Sequence, residues 1–532
     1  MKKHRKLKIT VLILLGIMVA AVLILLVNFH PWKNKELKQD SAIMVDEVKA
    51  THVPLVQKYL ARYDLLSKTA ETGFDTEQNY ALPNFMAQDY FKGYADMNTY
   101  TALEFPKDHQ AQLDWQFGWY FWSGNFLDEN DNEVDIVVVF FRRALYPPPI
   151  AADLGMSDLD NQIVQTVVAV NYADENLHVN GSNPIIAGDS GQITYGNEPF
   201  VAVVGDSSAK SVQADQMFPM NITVNDPDKD LSIDLDLASS KPLLLQGDQG
   251  KVPSIYGLGT WYYSFPNIKT SGTVTYQGEA RNIDGKMWMD HQWMAGITPT
   301  GYPKDLAIQA LANITEGYKG EPPASFGWDW SDVQFDDDTE VTFASPHSDK
   351  TADLKNMGED PPANATRDIS GKYIDKDGNS QNISGSVTIN KWMRSPKSKA
   401  WYPNGWDVKM PDQKLEFTMT PSVDQQFIYS GTGEIREGGV IVKGTKNGKD
   451  ISGYGFGEGV NYSGEEYPLT QNMDLLGIAD NDTNRDLLKP KPPSLWLFVQ
   501  SIIVLASPAA LLALIIVYIV VLIKRRRHRK KK

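Results

Sequence analysis

Two stretches of the chain are almost wholly apolar, and they bracket everything else. Ile9 to Val27 runs for 19 residues with no charge and Thr10 as its weakly polar member. As a helix it would span roughly 28 Å, about one bilayer core. Leu495 to Ile523 has only Gln500 and a few hydroxyls as polar members, and Pro508 is placed to kink it. Inside this bracket the period changes once. Over residues 40–72, Met44, Val48, Leu55, Tyr59, Tyr63 and Leu66 recur at three-, four- and seven-residue steps, which predicts helix, interrupted at Pro54. A stalk and a packed helix pair both fit.

From about Leu103 the period is two. Strands are expected at Val134 to Phe141, Gln162 to Tyr172, Leu231 to Leu237, Thr270 to Ala280, Glu340 to Phe343, Ser384 to Asn390, Lys414 to Met419 and Glu434 to Lys443. Turns fall at the Asp- and Asn-rich Asp128 to Asn132 and at Asp377-Gly378. No repeat of 20–50 residues runs through them, which argues against a solenoid or propeller and for β-barrels or sandwiches.

Charge fixes the topology this pattern implies. The net charge is −15, yet residues 1–8 carry five Lys or Arg, residues 524–532 carry eight, and neither end holds an acid. The remainder sets 38 basic residues against 66 acidic ones. Such a body repels nucleic acid, and the basic ends suit a lipid bilayer as partner. By the positive-inside rule both termini lie in the cytoplasm and residues 28–493 outside it. The residues after Val27 offer no Ala-x-Ala cleavage pattern, so the first span reads as an uncleaved anchor.

At roughly 150 residues per domain, 532 residues suggest about three units. The expected plan is a basic tail (1–8), a transmembrane helix (9–27), a helical stalk or N-terminal region (28–102), a first β-barrel (103–295), a second (296–479), a polar, proline-rich linker (480–494), a second transmembrane helix (495–523) and a basic tail (524–532).

Much chemistry is absent. There is no cysteine, which removes disulfides, thiol nucleophiles and Cys-ligated metals. There is no G-x-S-x-G, H-E-x-x-H, Walker loop or dinucleotide-binding glycine motif. His52, His109, His178, His291 and His347 are far apart in sequence, with His30 at the membrane edge. The acidic runs at Asp226, Asp228, Asp230 and at Asp336 to Asp338 lack the features of a calcium loop and read as solvated turns. Neither a metal nor a cofactor is expected, and nothing in the sequence names a protein partner.

Four motifs stand above this background: Phe105-Pro106-Lys107-Asp108-His109 followed by Trp119 to Gly124; Lys241 to Gly247; Tyr262-Tyr263-Ser264 followed by Gly285 to Trp293; and Gly327-Trp328-Asp329-Trp330. In an extended strand, Trp288 and Asp290 share one face while His291 and Trp293 share the other. A proton-transfer group beside a large aromatic face is a reaction site for apolar substrates; core aromatics around one hydrogen-bonded histidine are the competing reading.

In this order, the motifs resemble the lipocalin-like AttH and carotenoid 1,2-hydratase family, often labelled secreted hydrolases. The likeness covers about residues 103–465, and its most specific part is the Trp-Met-Asp-His-x-Trp signature at 288–293. It implies a mainly β chain with two consecutive lipocalin-like barrels. For hydratase members it implies that the signature His and Trp, here His291 and Trp293, help add water to an isoprenoid double bond. The chain departs from the family pattern at Gly118, where a Glu is usual, at Gln112, where a second His is usual, and at Phe343-Ala344-Ser345, where a Tyr and an Asp are.

The site is therefore expected around Asp290, His291 and Trp293 as catalytic residues, with Trp119, Tyr120, Trp288, Trp328 and Asp329 as ligand-binding walls. The ligand would be a lipid or isoprenoid-type molecule. A hydratase- or hydrolase-like enzyme, a lipid binder and a structural envelope protein all remain open. An open cavity reaching His291 favours the first two; an interior filled by tryptophan and phenylalanine favours the third.

Overall fold

The structure is a computed structural model. It describes residues 93–95, 102–182, 186–188, 191–253, 259–294, 327–347, 360–396, 400–430, 433–460, 462 and 479–488, and singly 49 and 520. The predicted helical stretch at 40–72 and both apolar spans lie outside the described residues. Among the described residues no helix is long and apolar enough to cross a membrane.

The chain is mainly β. The first sheet contains β1 (Phe117–Asp128), β2 (Glu133–Ala144), β3 (Gln162–Tyr172), β4 (Leu177–Ser182), β5 (Ile186–Ala187), β6 (Ile193–Asn197), β7 (Phe200–Val204), β8 (Ser207–Ser211), β9 (Met220–Asp226), β10 (Leu231–Ser239), β11 (Leu244–Leu245), β12 (Lys251–Pro253), β13 (Gly259–Tyr276) and β14 (Glu279–Met294). The second contains β15 (Gly327–Phe335), β16 (Glu340–His347), β17 (Ala365–Ile374), β18 (Ser380–Arg394), β19 (Trp401–Met410), β20 (Leu415–Pro421), β21 (Phe427–Ser430), β22 (Gly433–Lys446) and β23 (Lys449–Val460).

The second sheet closes. Its strands run β20-β19-β18-β17-β16-β15-β23-β22, and β22 pairs back onto β20, giving an eight-stranded barrel with β21 hanging on β22. The first sheet departs from expectation. Its main path runs β4-β3-β2-β1-β14-β13-β10-β9-β8-β7-β6, and no ladder joins its ends among the described residues, so it is an open, half-barrel sheet.

The reason lies in how its central strands are buried. Every residue of β3 is buried, as are nine of the twelve in β1 and ten of the twelve in β2. One face of these strands enters the first unit's core, with Trp122, Phe140, Val164 and Val168. The other packs on the barrel, where Phe121, Val137, Val139, Val167 and Trp288 meet Trp330, Ile435, Phe456 and Val460. A sheet covered on both sides needs no closure to bury itself, and its strands read as unbroken apolar runs.

Local chemistry sets the turns. Asp128 accepts the backbone N–H groups of Asn130 and Asn132 and fixes the β1–β2 hairpin. Asp377-Gly378 sits at the β17–β18 hairpin as expected. Both acidic runs are turns, at β9–β10 and β15–β16. The strand expected over Thr270 to Ala280 instead crosses a hairpin: Tyr276 pairs with Glu279, and Gln277 and Gly278 take positive φ of 53° and 78°.

Trp330 makes T-shaped contacts with Phe121 at 5.5 Å and Trp288 at 6.4 Å, at the centre of the shared layer. Trp330→Ala is expected to cost about 3–5 kcal/mol, as for other buried aromatic truncations. Wild type should unfold in denaturant as one transition by both circular dichroism and tryptophan fluorescence. An unchanged midpoint in the variant, or two separated wild-type transitions, would contradict the shared layer.

Candidate functional site

Side-chain alternation along β14 decides which residues can meet. Its register against β1 and β13 is regular over this stretch, so rows of neighbours cross four strands. Phe140, Tyr120, His291 and Tyr263 form one row, and Arg142, Gly118, Trp293 and Trp261 the next, both facing the first unit's core. Val139, Phe121, Asp290 and Ser264 form a row on the opposite face, as do Phe141, Trp119, Gln292 and Tyr262. The expected division of the signature, Trp288 with Asp290 and His291 with Trp293, is the division observed.

The site residues anticipated together therefore fall in three places. His291, Trp293 and Tyr120 lie inside the first unit. Asp290, Trp288, Trp119 and Trp328 lie in the layer between the two units. Asp329 faces the second barrel, where it accepts from Arg367 Nη1 at 2.6 Å and Tyr462 Oη at 2.9 Å.

His291 is held rigidly. Its Nδ1 lies 2.9 Å from the Trp119 carbonyl oxygen and its Nε2 3.0 Å from that of Gln110. Tyr120 stacks on the ring at 4.0 Å and Trp293 flanks it at 4.7 Å. A neutral imidazole has one N–H, so only the imidazolium could donate to both carbonyls. Burial outweighs that pull and pushes the pKa down to about 3, leaving the ring neutral near pH 7. The surroundings are filled: Trp115, Trp122, Trp261, Trp293, Tyr263 and Phe140 are all fully buried. His109, which meets Tyr263 Oη at 2.8 Å, is likewise pushed down to about 4 by burial.

The inter-unit layer is different in kind. Asp290 is buried and accepts three hydrogen bonds: from Tyr262 Oη at 2.6 Å, Ser264 Oγ at 2.5 Å and Trp288 Nε1 at 2.6 Å. These donors favour the carboxylate, but burial dominates and raises its pKa to about 7. Asp332 accepts from Ser123 Oγ at 2.8 Å and is raised well above the ordinary range by burial and then by the nearby Asp290 and Glu340. Glu458, which accepts from Trp328 Nε1 at 2.8 Å, is raised by burial, and Glu437 beside it is raised by burial and by Glu458.

This is a layer of protonatable carboxyls between aromatic walls. Its edge is less closed: Trp119, Phe141, Gln292 and Trp328 are only half-buried. No metal-binding cluster occurs among the described residues.

Several of these residues escaped the sequence reading. Tyr262 and Ser264 stand in a quoted motif, and their two-residue spacing puts them on Asp290's face. Asp332, Glu437 and Glu458 carried no local signal, because their partners lie on strands distant in sequence.

Fold and site together define a mainly β protein of two packed β units with a carboxyl-rich aromatic layer between them. A family model described as AttH-like matches residues 96–458, and the chain belongs to the AttH-like family. The crystal structure of a protein from Nitrosomonas europaea assigned as an AttH superposes with a TM-score of 0.51 at 21% identity, covering 69% of this chain and 99% of its own. Kievitone hydratase from Nectria haematococca aligns with a TM-score of 0.48 at 16% identity, covering 70% of this chain and 96% of its own. The first likeness is one of fold. No curated protein sequence matched the chain.

Asp290 gives a signed pH prediction. Its pKa is raised on folding, so its favourable contribution is fully present below about pH 4, where the unfolded carboxyl is also protonated, and is lost as pH rises through about 7. Asp290→Asn cannot ionise. Between about pH 4 and pH 8 wild type should lose on the order of a few kcal/mol relative to that variant. Parallel stability curves from chemical denaturation would contradict the raised pKa; effects of the buried histidines cancel in the difference.

Proposed function

We propose that this chain is a membrane-anchored, extracytoplasmic hydratase-like enzyme that takes a lipid or isoprenoid-type ligand into the layer between its two β units. The observation that carries this reading is Asp290: a buried carboxyl, poised near neutrality, at the root of an aromatic face whose outer members are half-buried. A group that carries its proton near pH 7 in a dry site suits general-acid catalysis.

The chemistry follows from these groups. Protonated Asp290 gives its proton to one carbon of a double bond, leaving a carbocation on the other. The π faces of Trp119, Trp288 and Trp328 steady that cation. Water adds to it, and the Asp290 carboxylate takes back the proton that the added water releases, so the net reaction adds one water. Tyr262, Ser264 and Trp288 keep the carboxyl oriented throughout. His291, neutral and able to donate to one of the two carbonyls that flank it, helps hold Trp119 and so the wall on which the ligand would rest.

A second reading, a fold kept for binding or envelope structure alone, is favoured by the filled interior around His291. Turnover separates the two. Purified full-length protein incubated with squalene should give a product heavier by one water in mass spectrometry, and lipid extracted from the protein should identify its natural ligand. Asp290→Asn should lower turnover at least about 100-fold while remaining folded. Product formed equally by that variant would sink the assignment.

The anchor is tested separately. Protease added to intact cells should digest residues 28–493 and spare tags at both termini. A protected middle segment would refute the topology.

A further inference from the structure

β2 ends in two adjacent arginines on opposite faces, and their treatment differs. Arg142, inside the first unit, donates through Nη1 to the Trp115 carbonyl at 2.9 Å and to Gln162 Oε1 at 2.9 Å. Arg143, on the inter-unit face, is 2% exposed, yet its Nε, Nη1 and Nη2 have no hydrogen-bond partner among the described residues. Its guanidinium carbon lies over the face of Phe117, 4.0 Å from the ring centre. Nearby, on the same face of β3, Gln165 is also 2% exposed, and neither its Nε2 nor its Oε1 is paired.

Two unsatisfied buried polar side chains, one of them charged, are costly for a fold to retain without a partner. They neighbour the aromatic edge already described. Phe117 stacks parallel to Phe141 at 6.3 Å and contacts Trp119 at 5.2 Å, and Phe141 pairs directly with Gln165. Four residues of strand and two strand spacings separate the row of Arg143 from that of Asp290, about 13 Å along the strands and about 10 Å across them.

We propose that Arg143 and Gln165 form a binding site for the carboxylate of an amphiphilic ligand, whose apolar chain runs over Phe117, Phe141 and Trp119 toward Asp290. This rests on the inter-unit layer proposed above and adds a preferred head group to its apolar ligand: a carboxylate. The guanidinium offers a planar fork of donors that matches a carboxylate's two oxygens, and the Gln165 amide adds a further N–H. One cation fits a monoanion. Burial pushes the Arg143 pKa down to about 9, which leaves it charged at neutral pH.

The test compares dodecanoate, its methyl ester and dodecyl phosphate, each titrated into full-length protein at about pH 7.5 with tryptophan fluorescence as readout. Wild type should bind dodecanoate at least about tenfold more tightly than the methyl ester. Arg143→Met, which keeps an apolar stem and removes the unpaired charge, should bind acid and ester alike and melt no lower than wild type. Gln165→Leu should weaken the acid preference by about threefold or more, and it serves as the second probe if the first variant misfolds. Equal wild-type affinity for acid and ester, failure to bind either, tighter binding of dodecyl phosphate, or a preference unchanged in the variants would each overturn the proposal. Lost turnover in Asp290→Asn together with an unchanged preference in Arg143→Met would overturn this inference alone and leave the reading of the inter-unit layer standing.

Discussion

The structure depends on two-sided burial of one short run of strands. β1, β2, β3 and β14 are the wall of the first core and, at the same time, the surface on which the barrel sits. Along their buried stretches each residue is committed by parity to one of two interiors. Trp288 and Trp293, five residues apart on one strand, belong to different cores for this reason alone. The open first sheet follows too, since the barrel supplies the cover that ring closure would otherwise provide.

The same constraint sorts the polar groups. In the first core burial keeps His291 and His109 neutral, the first beside backbone carbonyls and the second against the Tyr263 hydroxyl, and tryptophans fill the space. In the layer between the units, carboxyls are gathered where no cation balances most of them, and burial holds protons on them. Lys241 is the exception: it pairs with Glu340 at 3.3 Å, where Asn267 also donates at 2.6 Å, and so pins one end of the layer. Asp290, Asp332, Glu437 and Glu458, buried carboxyls whose pKa is raised, are therefore gathered at a contact between the units.

This explains what was legible in the sequence. Period-two patterning located seven of the 23 strands among the described residues, and the motif at 288–293 announced its own division into faces. It could not announce that both faces would be buried, because a strand apolar on both sides carries no alternation to read. The half-barrel was hidden for that reason, and so was the burial of His291 and Asp290 in two different interiors despite their adjacency in the chain. Ser123 and Asp332 bond across 209 positions of sequence, a pairing no local pattern encodes. Arg142-Arg143, a charged pair closing an apolar run, was a signal in plain view.

The shared wall also bears on how the molecule is made. β1 pairs with β14, more than 150 residues later, and its other face waits for β15, β22 and β23, which are completed only near residue 460. Such non-local pairing is slow, because long loops must close before contacts reward them. Until the last strands arrive, the aromatic row of Trp119, Phe121, Trp288 and their neighbours is exposed to water and to other chains. The two units then behave as one folding event that the final hairpin completes. Truncation before residue 460 would leave an adhesive sheet, not a smaller working protein.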